Sequence, residues 1–459
     1  MEQDNRCTLG IDIGTTSVKI ILLDELTRSP VIHVTKPHHA TITTGLQPGH
    51  HEQHLGQLLC TVTSCMQKVS HDASVLHLEK VNCIGVSSQM HSVVRWNAEM
   101  AHKAWESTMN GMHGDHVRTA FDDEQCASSL ITWMDQRADE EFVGTLPTPR
   151  SHLSIHSGYG CVTLLHLLKH DQLTSHYDCC GTIADLLVAL LCRLAHPITS
   201  SQMAASFGYF DTVSKSWNTD ILGSMGFPTD ILPNVVEPSR AAGKLQSSSW
   251  FGIPMGTSVM AAIGDFQAGI FPLISPKTCV ITIGTSAQIC FLLPPDVKPP
   301  DGNSMPRKVQ YFPYFDGSFV TVGASLNGGN VLSEFAQVLH GWMAQLAGAD
   351  ATISKDQIWA RILELLLQES TSSTPAAKMA GSPQLSIHPT IYGERHAPHH
   401  LGSVFNISPS NVKELGKILM GLVEGIAKNL HDFISIDCML EFIVTNTRRE
   451  PGGAGRREV

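Results

Sequence analysis

Two stretches of this chain, 270 positions apart, follow nearly the same pattern. Leu9–Leu23 reads LGIDIGTTSVKIILL and Cys279–Leu293 reads CVITIGTSAQICFLL; Ile11, Ile13, Gly14, Thr15, Leu22 and Leu23 all recur in kind. Each copy is a short apolar strand, a Gly-Thr turn and a second apolar strand. Glycine suits a turn where the backbone takes positive φ or must come close to a ligand. Hydroxyls and amide N–H groups beside it suit phosphate oxygens. One copy alone reads as an ordinary hairpin. Two copies, each opening one half of the chain, point to duplicated domains that hold one nucleotide between two phosphate loops.

A chain of 459 residues is long enough for two cores. Hydrophobic residues at 42% and charged residues at 16% describe a globular chain. The formal net charge of −11 disfavours a nucleic acid or an acidic membrane as partner, because their phosphates would be repelled. ATP needs only a local site. The 12 cysteines form no C-x-x-C pair, and vicinal Cys179–Cys180 reads as two reduced thiols near a helix start. With no targeting segment and no apolar run long enough to span a bilayer, the expected compartment is the cytosol.

The domain junction is expected near Pro254–Gly256, which gives a first domain over 7–254 and a second over 255–435. Ser354 and Gln357 form a capping-box pattern for a helix running to about Gln368. A second helix is expected over Asn411–Leu430, and Ser370–Ser386 reads as a surface loop. The chain has no G-x-x-x-x-G-K-[ST] motif, and Gly158–Tyr159–Gly160 lacks the third glycine of a dinucleotide fingerprint. Asp12 interrupts an apolar strand, which is costly unless the carboxylate is paired or holds a metal. Asp265 follows the apolar run Val259–Ile263 and sits in Gly264-Asp265-Phe266-Gln267-Ala268-Gly269. It reads equally as a helix-capping aspartate or as a carboxylate lining a cleft.

The hairpins resemble the phosphate loops of the FGGY carbohydrate kinases, and the resemblance covers roughly residues 7 to 430. Gly49-His50-His51-Glu52-Gln53-His54, Ile84–His91, Trp133-Met134-Asp135-Gln136-Arg137, Ile263–Gly269, Gly323-Ala324-Ser325 and Gly393-Glu394-Arg395 are each similar to a segment of that family. The resemblance implies an α/β fold of two actin-like (ribonuclease-H-like) domains with an interdomain cleft, and transfer of the terminal phosphate of ATP to a sugar hydroxyl. It implies Asp265 as general base, and Mg²⁺ held by Asp12 and Asp265. Thr15, Thr16 and Lys19 would approach the β- and γ-phosphates beside Gly14, with Gly284, Thr285, Gly328 and Gly329 meeting them from the second domain.

Gln89, Met90, His91, Trp133, Asp135 and Asp265 are the implied sugar contacts, although Trp133 reads equally as core. Glycerol kinases of the family carry Arg-Glu after the glutamine where this chain has Met90-His91, as ketose kinases do. The resemblance therefore implies a ketose substrate, sedoheptulose ahead of xylulose, ribulose or glycerol, and a 7-phosphate product. The histidine pairs His38–His39 and His399–His400 are expected in solvated loops, and no structural zinc is expected. The resemblance stops near residue 435. The stretch 445–459 reads as a polar, basic, glycine-rich disordered tail, and no adenosine-holding loop is seen there. An impaired sugar-binding variant is therefore the alternative to an active enzyme.

Overall fold

The computed structural model describes residues 6–433, apart from 74, 112–113, 247–249, 277, 295–296, 300–307, 348–353, 373–384, 395 and 398. The chain divides into two compact units. The first runs through Leu273 and takes in Tyr311–Phe319; the second holds Ile274–Val297 and the chain from Val320 onward.

The first unit is built on the strand Cys7–Ile13. Period-two alternation puts Cys7, Leu9, Ile11 and Ile13 in the core and leaves Thr8, Gly10 and Asp12 on the less buried face. The strand pairs antiparallel with Ser17–Asp24 and parallel with Val81–Ser88. Across the sheet the order is Ala241–Lys244, Ser258–Met260, Val81–Ser88, Cys7–Ile13, Ser17–Asp24, Ser29–Pro37, and Ile263–Gly264 also joins Val81–Ser88. Helix Leu55–Asp72 buries Leu58, Leu59, Val62, Met66 and Val69 in the same core. Helix Ile183–Cys192 is buried throughout, and Thr182 and Asp185 cap it reciprocally. Cys179 and Cys180 lie in the strand just ahead of this helix as buried free thiols.

The parallel register decides where chemistry can sit. Ile13 pairs with Ser88, and Gly264 pairs with Ser88 as well. The Gly14 turn, the Gln89-Met90-His91 loop and Asp265 therefore all leave the sheet at its carboxyl edge, where ligands of α/β sheets bind. The same pairing moves the junction. Ser258–Met260 and Ile263–Gly264 belong to the first sheet, so the division falls at Leu273, after the Pro254–Gly256 position expected from sequence.

A four-stranded sheet in the order Val280–Ile283, Ala287–Leu292, Phe319–Ser325, Val309–Pro313 belongs mostly to the second unit. Its core joins Ile289, Phe291, Val331, Ile387, Leu422, Ile426 and Leu430. Helix Lys355–Ser372 begins at the expected capping box: Ser354 N–H donates to Gln357 Oε1 at 2.9 Å and Gln357 N–H to Ser354 Oγ at 3.2 Å. The expected Asn411–Leu430 helix is two, Pro409–Val412 and Leu415–Phe433, the short one carrying its own cap through Ser408 and Asn411. Most of the Ser370–Ser386 loop and all of 435–459 lie outside the described residues. Among the described residues no helix is long and apolar enough to cross a membrane.

Candidate active site

Both repeats form the hairpin their sequences imply. In the first, Gly14 N–H donates to Ser17 O at 3.0 Å; in the second, Gly284 N–H donates to Ser286 O at 2.8 Å. Neither glycine takes positive φ, so a left-handed backbone is not what the turns require of them. Close approach is the better reason in the second unit, but it acts at Gly328 and Gly329. A Cβ on Gly328 would lie 2.5 Å from the Ser286 backbone, and one on Gly329 would lie 2.7 Å from Gly284 O. Gly329 N–H donates to Gly284 O at 2.7 Å and Asn330 N–H to Thr285 O at 3.2 Å, so the start of helix Gly329–Ala347 locks the second loop. Glu394, 3% exposed, fixes the other side of this turn. It accepts from Ser325 Oγ at 2.6 Å, Leu326 N–H at 3.1 Å, Asn327 Nδ2 at 3.1 Å and Asn429 Nδ2 at 2.8 Å.

In the first unit Asp12 is paired, as a carboxylate in a sheet must be. Lys19, directly opposite across the hairpin, donates to Oδ2 at 3.1 Å, and Ser87 Oγ donates to Oδ1 at 2.9 Å. Thr15 is half-buried and Thr16 exposed. The turn is braced from behind by residues far off in sequence. Gln53 Nε2 donates to Thr15 O at 2.9 Å, Gln89 Nε2 donates to Gln53 Oε1 at 3.0 Å, and Trp133 Nε1 donates to Thr15 Oγ1 at 3.1 Å. Trp133 is thus tied to the Gly14 turn. His38, expected in solvent, is 1% exposed and lies against the backbone of Gly14 and Thr15; burial lowers its pKa. His39 is exposed as expected.

Asp265 opens helix Asp265–Ile270 at its first turn, with Gly264 as the cap residue. Its Oδ1 accepts the Phe266 N–H at 2.7 Å. Burial pushes its carboxyl up to about 7, the nearby Asp12 carboxylate adds to the rise, and the Phe266 N–H and Lys19 oppose it. A carboxyl poised there suits proton acceptance near neutral pH. The adjoining loop is strained: His91 has φ 66°, uncommon for a residue other than glycine. Its ring stacks on Tyr159 at 4.3 Å, and its Nδ1–H donates to Ser206 O at 2.6 Å. Met90 is buried, and its sulfur lies over the Gly264 Cα.

Asp135, expected against the sugar, is 1% exposed and both its oxygens are engaged. Arg137 donates through Nε to Oδ1 at 2.8 Å and through Nη2 to Oδ2 at 2.9 Å, while His51 N–H donates to Oδ2 at 2.7 Å. Arg137 also pairs with Glu52. The turn is closed by Gly158, whose φ is 79° and whose Cβ would lie 2.2 Å from Trp133 O. Asp135 therefore ties Arg137 to the His51 backbone, just ahead of strand Glu52–Gln53.

The family model for the N-terminal domain of the FGGY family of carbohydrate kinases matches residues 7–103 and 115–272. The chain is 36% identical to sedoheptulokinase of Homo sapiens over 98% of its own length and 91% of the relative's. The chain belongs to the FGGY family of carbohydrate kinases. The mouse sedoheptulokinase is equally similar, 36% over 98% of this chain and 90% of the relative. Among solved structures, a xylulose kinase from Rhodospirillum rubrum matches with a TM-score of 0.70 at 17% identity, covering 95% of this kinase and 80% of that chain. A Plasmodium falciparum glycerol kinase with ADP matches with a TM-score of 0.66 at 15% identity, over 96% and 79%. The fold is the two-domain actin-like one, and the activity of the chain is sugar phosphorylation; kinases of this family use ATP.

Three side chains that brace the candidate site belong to no local motif that marks them: Gln53, His38 and Ser206. Gln53 lies inside a segment similar to one of the family's, but its partners Thr15 and Gln89 are 38 and 36 residues away. Ser206 meets His91 across 115 residues, a distance no local pattern spans.

Proposed function

We propose that this kinase phosphorylates a ketose, sedoheptulose before xylulose, ribulose or glycerol, and that Asp265 is the general base. The observation that carries the proposal is the Asp265 carboxyl, raised to about 7 at the carboxyl edge of the sheet and beside the Met90-His91 loop. The proton of the sugar hydroxyl passes to an Asp265 oxygen as the sugar oxygen bonds to the γ-phosphorus and the bond to ADP breaks. Met90 and His91 stand where glycerol kinases carry Arg-Glu, which favours a ketose over glycerol. The similarity to sedoheptulokinases supports the seven-carbon substrate.

For the nucleotide, Thr15, Thr16 and Lys19 take the phosphates from the first unit. Lys19 remains 52% exposed beyond its pair with Asp12. Gly284, Thr285, Gly328 and Gly329 form the corresponding backbone in the second. Burial first and the nearby Asp12 carboxylate second raise Asp265, which fits a site that a hard cation with phosphate ligands would neutralise. Mg²⁺ held by Asp12 and Asp265 would supply charge neutralisation at the phosphates. Asp135 holds the Trp133–Arg137 turn, and through Trp133 the Thr15 hydroxyl.

The test is Asp265→Asn in the full chain, with turnover measured by ADP release and sugar binding by calorimetry. Turnover should fall on the order of 10²–10⁴-fold, the usual worth of a general base, with sugar affinity nearly unchanged. Near-normal turnover would remove Asp265 from that role. Equal turnover of glycerol and sedoheptulose by the unaltered chain would overturn the substrate assignment.

A further inference from the structure

Buried amides without partners are uncommon in folded proteins, and each asks for a reason. Three glutamines of the first unit are in this state, each on a segment that adjoins Ile263–Asp265. Gln267 and Gln202 are both 0% exposed, and neither the Nε2 nor the Oε1 of either has a hydrogen-bond partner; Gln89, 1% exposed, has an unpartnered Oε1. Gln267 lies within the first turn after Asp265, and its Oε1 would be 2.2 Å from a Cβ on Gly264, with Met90 Sδ 2.7 Å from the same point. Its amide and the Met90 thioether thus meet over the residue that precedes the base. Gln202 and Ser206 are one turn apart on helix Ser201–Phe207, hence on one face. Ser206 is the residue that holds His91, and the helix packs on Ile263–Gly264.

We infer that Gln202 and Gln267, with the Oε1 of Gln89, read the hydroxyls of the sugar beyond the one that is phosphorylated. This inference rests on the reading of the site as a ketose kinase and assigns its specificity. The chemistry of the set points to the ligand class. A primary amide offers donor and acceptor side by side, which matches a pair of vicinal hydroxyls. None of the three glutamines carries charge, so the set suits a neutral polyol rather than a carboxylate or phosphate. A chain of several carbinol carbons offers such a set more hydroxyls than three-carbon glycerol does. A pocket that hydrogen-bonds hydroxyls discriminates against a ligand lacking them, because its own buried polar groups then stay unpaired.

The test uses the full chain with Gln202→Met and Gln267→Met, near-isosteric and apolar. Loss of a neutral hydrogen-bonding side chain should lower kcat/KM for sedoheptulose by roughly tenfold in each variant. The fall should be smaller for xylulose and least for glycerol, with KM for ATP unchanged. Thermal melts give a readout that a purely structural role would not move in the same way. Without sugar the variants should melt no lower than the parent, since an unpartnered polar group has been removed, and the rise in Tm caused by sedoheptulose should shrink. A lower Tm without sugar combined with an intact sugar-induced rise would assign the amides to the fold and overturn the inference. An equal fall for all three acceptors would overturn it too. If the parent chain phosphorylates no ketose, the underlying functional reading fails; if the parent does and the variants match it, only this inference fails.

Discussion

The two hairpins share a sequence pattern but differ in turn length and in chemistry. In the first, Asp12 faces Lys19 across the ladder; in the second, the corresponding Thr282 faces Gln288 and donates its hydroxyl to it. The first turn spans Gly14 to Ser17 between paired Ile13 and Val18, and the second is one residue shorter, between paired Ile283 and Ala287. The first is braced by side chains of Gln53 and Trp133, the second by helix backbone at Gly329 and Asn330. The repeat therefore preserves a tight turn closed by the N–H of its glycine. The charge that tunes Asp265 occurs on one side only. Each unit also buries a carboxylate beside its loop. In the first, Asp135 and Glu52 share the cation Arg137; in the second, Glu394 is held by neutral donors among the described residues.

The largest effect should come from breaking the charged hub. Arg137→Met leaves Glu52 and Asp135 buried without their cation, which costs about 3–5 kcal/mol by the measure of other broken buried pairs. Denaturant unfolding of the full chain should show the loss in the first unit's transition. Glu394→Gln puts an amide donor among donors and should cost less, about 1–3 kcal/mol. A larger loss for Glu394→Gln than for Arg137→Met would reverse this ranking.

On activity, Asp12→Asn should lower kcat on the order of 10²-fold, the usual size for removing one electrostatic contributor at a reacting centre. Thr282→Val, the equivalent change in the second hairpin, should stay within about threefold, as expected where only a neutral hydrogen bond is lost. Steady-state kinetics on purified variants decides this, and comparable losses would mean that the two hairpins are chemically equivalent.

A smaller difference concerns the glycines. Gly328→Ala would force a Cβ to 2.5 Å from the Ser286 backbone, whereas a Cβ on Gly14 would be 3.4 Å from Ser17 O. The first should cost about 1–3 kcal/mol, typical of overpacking. Gly14→Ala should leave the melting temperature nearly unchanged and act, if at all, on KM for ATP.

What was legible in the sequence was local. The Gly-Thr turns, the alternating strands and the Ser354–Gln357 capping box are patterns within a few residues, and each appears where its pattern stands. What was not legible depends on residues brought together by the sheet. Trp133 reaches Thr15 across 118 residues, and the engagement of Asp135 is visible only with Arg137 and the His51 amide in place. His38 looked like one of two loop histidines, and nothing in the dipeptide says that one ring lies under the turn while the other is exposed. The junction near Pro254–Gly256 was drawn at a turn signal, but the strand that follows still belongs to the first sheet.

The account rests on Asp265 as a base whose carboxyl is raised by burial and by Asp12, and the pH dependence of kcat/KM with sedoheptulose tests it most directly. Because the base must be unprotonated, activity should be full above about 7, the value to which the carboxyl is raised, and fall as pH drops through it. In Asp12→Asn burial still raises Asp265 but the repulsion that adds to it is gone, so the acid limb should move to lower pH even though the maximum rate is reduced. The ionisation of free ATP would not respond to that substitution. An acid limb in the ordinary carboxylate range in the parent, or one that stays in place in Asp12→Asn, would contradict the account.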